Sequence, residues 1–236
     1  LRLRVDSLSD NHDTLHAYPP AMLRYLLTAC TMLLATATAL AQTPHTHDHG
    51  FSGAEQWSRY FDDPARDAWQ KPHQVIQALA LAPDAAIADI GAGTGYFAVR
   101  LAHMAPQGRV YAVDTEPDMV KYLAERAKRE RLANLTAVAG TPQDPRLPEK
   151  VDRVLLVDVY HHIGDRERYF RRVRDQLKPG GEVAIIDFTK SSPMGPPVAV
   201  RTTPEQVRDE MQRAGYTLAR TLDFLPNQYF LVFRAP

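Results

Sequence analysis

Two groups of residues in this 236-residue chain have the types and spacing to do chemistry. The first is Asp89-Ile90-Gly91-Ala92-Gly93-Thr94-Gly95, where three glycines at alternate positions let the backbone turn sharply and let a ligand approach closely. A helical stretch begins just beyond, so the turn also presents the amides of a helix start. Asp114 stands nineteen positions after Gly95, at the tip of the next apolar run. A carboxylate so placed can accept both hydroxyl protons of a ribose. The second group is Asp158-Val159-Tyr160-His161-His162, with Asp187-Phe188 further along. Histidine titrates where a general base is useful, so His161 and His162 are the candidate proton acceptors.

Alternating strands and helices must position these residues. Short helical stretches run through Trp57 and Tyr60-Phe61 and again after Lys71-Pro72, with Asp62-Asp63-Pro64 as a break. Strands are expected at 85–90, 110–113, 135–138, 154–157 and 183–186, and helices at 96–103, 117–131 and 165–177. Lys178-Pro179-Gly180-Gly181 reads as a turn, and Thr203-Pro204-Glu205-Gln206 as a capping box with Pro at the first helical position. Strands at 216–224 and 229–233 close the chain as a hairpin about Leu225-Pro226-Asn227. Nearly unbroken apolar strands between helices predict a doubly wound α/β fold, with a mostly parallel seven-stranded sheet and an antiparallel last strand. In such a sheet, ligands lie beyond the carboxyl ends of the strands.

The glycine turn is used by two nucleoside classes. The dinucleotide fingerprint needs a third glycine where this chain has Tyr96, and Asp89 would repel a pyrophosphate. Opposite a cationic group, Asp89 makes sense. The D-x-G-x-G-x-G pattern with a strand-two acid resembles the class I S-adenosylmethionine-dependent methyltransferases, of the small-molecule, ubiquinone/menaquinone type, over roughly residues 72–236. That resemblance implies a Rossmann-like fold and S-adenosylmethionine as cofactor. It places Gly91, Gly93 and the Ala92 backbone around the methionine part, with Gly95 also at the cofactor, Asp89 near its amino group, Asp114 on the ribose and Thr115 beside the adenosine. Relatives carry Gly-Asp after the third strand; here the loop reads Gly140-Thr141-Pro142-Gln143-Asp144, so Gln143 and Asp144 become the adenine contacts. Asp158 and the residues after it fall where relatives line the methyl-transfer pocket. Metal-assisted O-methyltransferases follow their second acid with Asn, where this chain has Phe188, so no metal is expected.

Lys+Arg and Asp+Glu balance at 28 each, which leaves no basic stripe for nucleic acid, and the resemblance implies a small organic acceptor at oxygen or carbon. The one cysteine, Cys30, excludes a disulfide framework, a cysteine zinc site and the thiol chemistry of arsenite methylation. It lies in a segment from Met22 to Ala41 with a basic start, an uncharged run and an Ala-Leu-Ala close, the pattern of a secretory signal peptide. The expected organisation is therefore a leader over 1–21 with translation starting at Met22, a signal over 22–41 and a His-rich segment over 42–52. Cap helices over 53–84 and the main domain over 85–236 follow. Export to the periplasm with no stable membrane insertion is the expectation; a retained anchor and a cytoplasmic enzyme are the alternatives. Two other functions remain open at this point: a non-catalytic exported binder of S-adenosylmethionine or nucleosides, and a nicotinamide-linked oxidoreductase.

Overall fold

The computed structural model describes residues 53–236. The leader, signal and His-rich segments expected over residues 1–52 lie outside the described residues. Among the described residues, no helix is long and apolar enough to cross a membrane.

Three short helices come first: α1 (Ala54–Phe61), α2 (Arg66–Gln70) and α3 (Pro72–Ala78). Pro72 sits at the first turn of α3, where its missing N–H breaks no helical bond and its fixed φ is already helical. The sheet and its helices follow as β1 (Ala86–Ile90), α4 (Tyr96–Met104), β2 (Arg109–Asp114), α5 (Pro117–Arg129) and β3 (Leu135–Ala139). Next come β4 (Val151–Val157), α6 (Arg166–Asp175) and β5 (Leu177–Phe188). The chain ends with α7 (Pro204–Arg213), β6 (Thr217–Leu222) and β7 (Gln228–Arg234).

The seven strands lie in the order β3-β2-β1-β4-β5-β7-β6. All pairs are parallel except those of β7, which runs antiparallel to both β5 and β6. This is the Rossmann-like, mostly parallel sheet with an antiparallel last strand that the pattern predicts. Both faces are covered. Ile87, Leu155, Ile186 and Val232 pack under α3, α4 and α5, while Ala88, Val154, Ile185 and Leu231 pack under α6 and α7. Burial on both faces explains why β1 reads as an apolar run rather than an alternation. Asp89 interrupts that run and is itself only 3% exposed.

One local expectation changes. Residues 178–181 do not separate a turn from a strand; they bulge within β5. The register jumps from Val151↔Leu177 to Arg153↔Glu182, and the surplus residues, with Gly180 at φ 74°, loop out of the ladder. The capping box holds as expected: Thr203 accepts from the Gln206 amide, and the Gln206 side chain accepts from the Thr203 amide.

Strand order reverses between β1 and β4, because the chain first winds outward to β3 and then returns to pair β4 with β1. At that switch point, the helix crossovers leave in opposite directions and a crevice opens beyond the strand ends. Asp89 and the glycine turn flank it on one side and Asp158 on the other.

Candidate active site

The glycine turn is built by its neighbours as much as by its own residues. The amides of Gly91 and Ala92 donate to the Val113 carbonyl at 2.8 and 3.0 Å, which ties the turn to the end of β2. The Gly93 amide donates to Asp114 Oδ2 at 2.8 Å, and the Glu116 amide to Oδ1 at 3.0 Å. Gly91 has φ 71°, and a Cβ there would come within 2.2 Å of a Val159 methyl carbon. Position 91 therefore requires glycine on two counts: the left-handed backbone and the close approach of the β4 loop. Burial pushes the Asp114 carboxyl above its usual range, against the amides of Glu116, Gly93 and Thr115, which favour the ionised form.

Asp89 is the most unusual group in the site. Burial pushes its carboxyl up to about 7, opposed by the Arg66 guanidinium and reinforced by the Asp114 charge. Among the described residues its Oδ2 is buried with no hydrogen-bond partner, and so is the Thr94 hydroxyl of the glycine turn. A buried carboxylate oxygen with no partner is costly, and a cationic ligand group would relieve that cost.

Across the crevice, Asp158 has φ 60°, an uncommon conformation for a non-glycine residue, and its backbone N–H donates to the Ile186 carbonyl at 2.9 Å. Burial and then the adjacent Asp187 carboxylate push Asp158 upward, against Arg66, the Gln228 amide and His161. About a fifth of its side chain, 21%, remains exposed, so water softens the burial contribution relative to Asp89. His161 and His162 end a short 3-10 turn, Tyr160–His162, after β4. His161 Nδ1 lies 2.8 Å from Asp187 Oδ2 and 3.1 Å from Oδ1. The His162 ring is exposed and lies 4.1 Å from the His161 ring, centroid to centroid.

The cap helices close over these groups. Arg66 on α2 places its guanidinium 4.1 Å from the Tyr96 ring centroid and 3.9 Å from Asp158, and donates to the Phe61 carbonyl and to Gln70. The Tyr96 hydroxyl donates to Asp67, which also pairs with Arg100. Asp62, just after α1, accepts from Arg126 at 2.9 Å, and Arg126 donates at 2.8 Å to the Thr94 carbonyl of the glycine turn. The buried Gln70 amide donates to Gln228, whose own amide donates to Asp158. A Cβ on Gly93 would meet the Phe61 ring at 3.3 Å. Trp69 packs on Phe188 with centroids 5.8 Å apart.

The structure thus brings Asp89, Gly91, Ala92, Gly93, Gly95, Asp114 and the exposed Thr115 to one side of the crevice, and Asp158, His161 and His162 to the other. Gln143 and Asp144 lie in the turn after β3. There Asp144 accepts from the Arg146 amide and from the side chains of Gln176 and Arg172. Arg66, Gln70 and Gln228, and the contacts of Tyr96 with Arg66 and Asp67, carry no motif, because they depend on distant parts of the chain. Asp187 stood in the right place in the sequence, and its histidine partner only shows in three dimensions.

A sulfonium- and ammonium-bearing nucleoside fits this donor set. Three carboxylates, Asp89, Asp158 and Asp187, converge on the strand ends, and the Arg66 guanidinium acts on the first two. No phosphate would be welcome there. Tyr96 fills the place a third fingerprint glycine would hold and is 3% exposed. Among the described residues, no group of three acids, histidines or cysteines is arranged to hold a metal ion.

Comparison with known proteins agrees with this geometry. The profile of a family described as a methyltransferase domain matches residues 81–222. A trans-aconitate 2-methyltransferase of Rhodopseudomonas palustris is 28% identical over 132 residues, covering 56% of this chain and 48% of that protein. The chain thus spans about half the length of that curated relative. Among solved structures, a SAM-dependent methyltransferase from Aquifex aeolicus superposes with a TM-score of 0.72 at 22% identity, over 78% of this chain and 98% of that one. Magnesium protoporphyrin IX methyltransferase from Synechocystis with bound SAM matches with a TM-score of 0.60 at 19% identity, covering 79% and 93%. At these identities the two structures establish the shared fold.

Proposed function

The chain belongs to the methyltransferase-domain family, and on that premise we propose that it transfers a methyl group from S-adenosylmethionine to a small organic molecule. The observation that carries the reading is the unpartnered, buried Oδ2 of Asp89 beside the glycine turn. When bound, S-adenosylmethionine supplies an electrophilic methyl on a sulfonium. In this reading Asp89 holds the ammonium of its methionine part, with the backbone of Gly91, Ala92, Gly93 and Gly95 around it. Asp114 accepts from the ribose hydroxyls, Thr115 flanks the adenosine, and Gln143 and Asp144 face the adenine. Asp158 stands at the methyl end. His161 or His162 removes a proton from the acceptor, which the strand ends hold in line with the methyl. The cap excludes water and keeps both reactants together.

Calorimetric titration with S-adenosylmethionine, its demethylated product and NAD tests this. Micromolar binding of the first two and none of NAD is expected; absence of any S-adenosylmethionine binding overturns the reading. Export is part of the same proposal and rests on the Met22–Ala41 pattern alone. N-terminal sequencing of the native protein with cell fractionation tests it. A mature chain starting at Gln42 in the periplasmic fraction is the expected result, and a cytoplasmic chain retaining residues 22–41 refutes it.

A further inference from the structure

Asp187 is completely buried, and its carboxylate accepts from two backbone amides beside the imidazole. Oδ1 accepts from the Phe188 amide at 2.8 Å, and Oδ2 accepts from the His161 amide at 3.2 Å. Both oxygens also face His161 Nδ1, at 3.1 and 2.8 Å. An ionised carboxylate can only accept, so the ring nitrogen facing it must carry the proton. The lone pair of the neutral ring is then on Nε2. Among the described residues His161 Nε2 has no hydrogen-bond partner, and it is not sealed from solvent, although 95% of the side chain is covered. It is a reachable base on an immobilised ring. His162 occupies the end of the 3-10 turn, exposed, with its ring against one face of His161.

We propose that Asp187 is the positioning residue that holds His161 with its proton on Nδ1, so that His161 Nε2, and not His162, deprotonates a neutral hydroxyl on the acceptor. This deepens the methyl-transfer reading and rests on it. The acceptor O–H proton passes to Nε2, and the freed oxygen pair forms the new O–CH3 bond. The pair of the broken C–S bond stays on the departing sulfur, and the imidazolium returns its proton to water. Charge selects the hydroxyl. Asp158 and Asp187 crowd the same strand ends, with Arg66 3.9 Å from Asp158 as the facing cation. A carboxylate acceptor would be repelled there, and being ionised already, it would have no use for a base.

The test has two parts, both on the full chain. Nitrogen-15 NMR of labelled histidines in the wild type reads the tautomer directly, without any acceptor. The expected His161 signature is protonated Nδ1 and unprotonated Nε2; the reverse tautomer overturns the proposal. The second part compares two probes with S-adenosylmethionine at mildly alkaline pH: phenol, whose hydroxyl still needs a base, and 4-nitrophenol, which is already ionised. Asp187→Asn sets an NH2 against a backbone N–H in either orientation, and His161→Gln removes the base. Each is expected to lower transfer to phenol about 100-fold or more while lowering transfer to 4-nitrophenol less than about tenfold. Equal losses on both probes mean a structural role and overturn the proposal. If neither probe is methylated, or Asp187→Asn does not fold, the wild-type tautomer decides. Failure of the wild type to bind S-adenosylmethionine overturns the methyl-transfer reading and the catalytic half of this inference together. Intact binding with the wrong tautomer overturns this inference alone.

Discussion

Replacing Asp89 with Asn should make the protein more stable and less able to bind its ligand. In the folded chain the Asp89 carboxyl is pushed from 3.8 up to about 7, mainly by burial. Three pKa units correspond to roughly 4 kcal/mol of strain in the ionised form at a pH well above 7. Asn abolishes the charge but brings an NH2 into the place of the unpartnered Oδ2, which costs about 1–3 kcal/mol if it finds no acceptor. The net gain expected at pH 8 is therefore about 2 kcal/mol, or roughly 4–8 °C in Tm for a domain of this size. The pH dependence has a definite sign. The folded state holds the Asp89 proton more tightly than the unfolded state, so the native contribution is fully present below pH 3.8 and is lost as pH rises through about 7. Wild type should lose stability across that window, and Asp89→Asn should lose less. Urea unfolding at several pH values from about 4 to 8, where the gain should turn into a loss of about 1–3 kcal/mol at the acid end, gives both numbers. Calorimetry should show S-adenosylmethionine affinity reduced by about 100-fold, the cost of removing one partner of a buried charge pair. Equal stability of the two proteins at every pH would falsify the assignment of Asp89 as a strained, cation-seeking carboxylate.

Three further outcomes follow from the geometry. Gly91→Ala forces a side chain into a left-handed position 2.2 Å from Val159, so it should cost about 1–3 kcal/mol. Adding Val159→Ala should recover part of that loss, and strictly additive unfolding energies would show that the two do not touch. Glu182, 4% exposed, accepts from Arg220 at 2.8 Å and Arg234 at 2.7 Å, with Arg153 at 3.8 Å. Against burial, these three guanidiniums hold its carboxyl below the usual range, so its contribution is present at neutral pH and lost as pH falls through that lowered value. Glu182→Gln should cost about 2–4 kcal/mol at neutral pH while leaving S-adenosylmethionine affinity unchanged; a loss of affinity would mean the two ends of the sheet are coupled. Thr203→Ala removes the capping box and should lower stability by about 1 kcal/mol in urea unfolding, with no change meaning that the cap is replaced by water.

The fold was legible because its signals are local. Apolar runs, the Pro at helix starts, the capping box at Thr203 and the glycine turn after Asp89 each act within a few residues, and the strand-helix alternation then leaves few arrangements. Side-chain periodicity located the strands to within a few residues. It missed the bulge at 178–181, where a turn-like sequence stays inside the ladder because β4 continues to pair beyond it. The site was half legible. Asp89 and Asp114 announce themselves by spacing, since one strand end and the next must lie side by side in a parallel sheet.

Sequence alone determined that this chain makes a doubly wound sheet with a glycine turn, an acid before it and an acid on the next strand. Those features depend on local conformation and on the spacing of neighbouring strands. Only the tertiary structure decided which residues share the site's charge. Asp187 meets His161 across 26 residues, Gln228 meets Asp158 across 70, and Gln70 meets Gln228 across 158. Arg66 reaches the strand ends only because α2 folds back over the crevice. Hydrogen bonds and buried charges act over a few ångströms and are indifferent to separation along the chain. The environment that pushes Asp89 up and fixes the His161 ring therefore exists only once the sheet and its cap have closed around them.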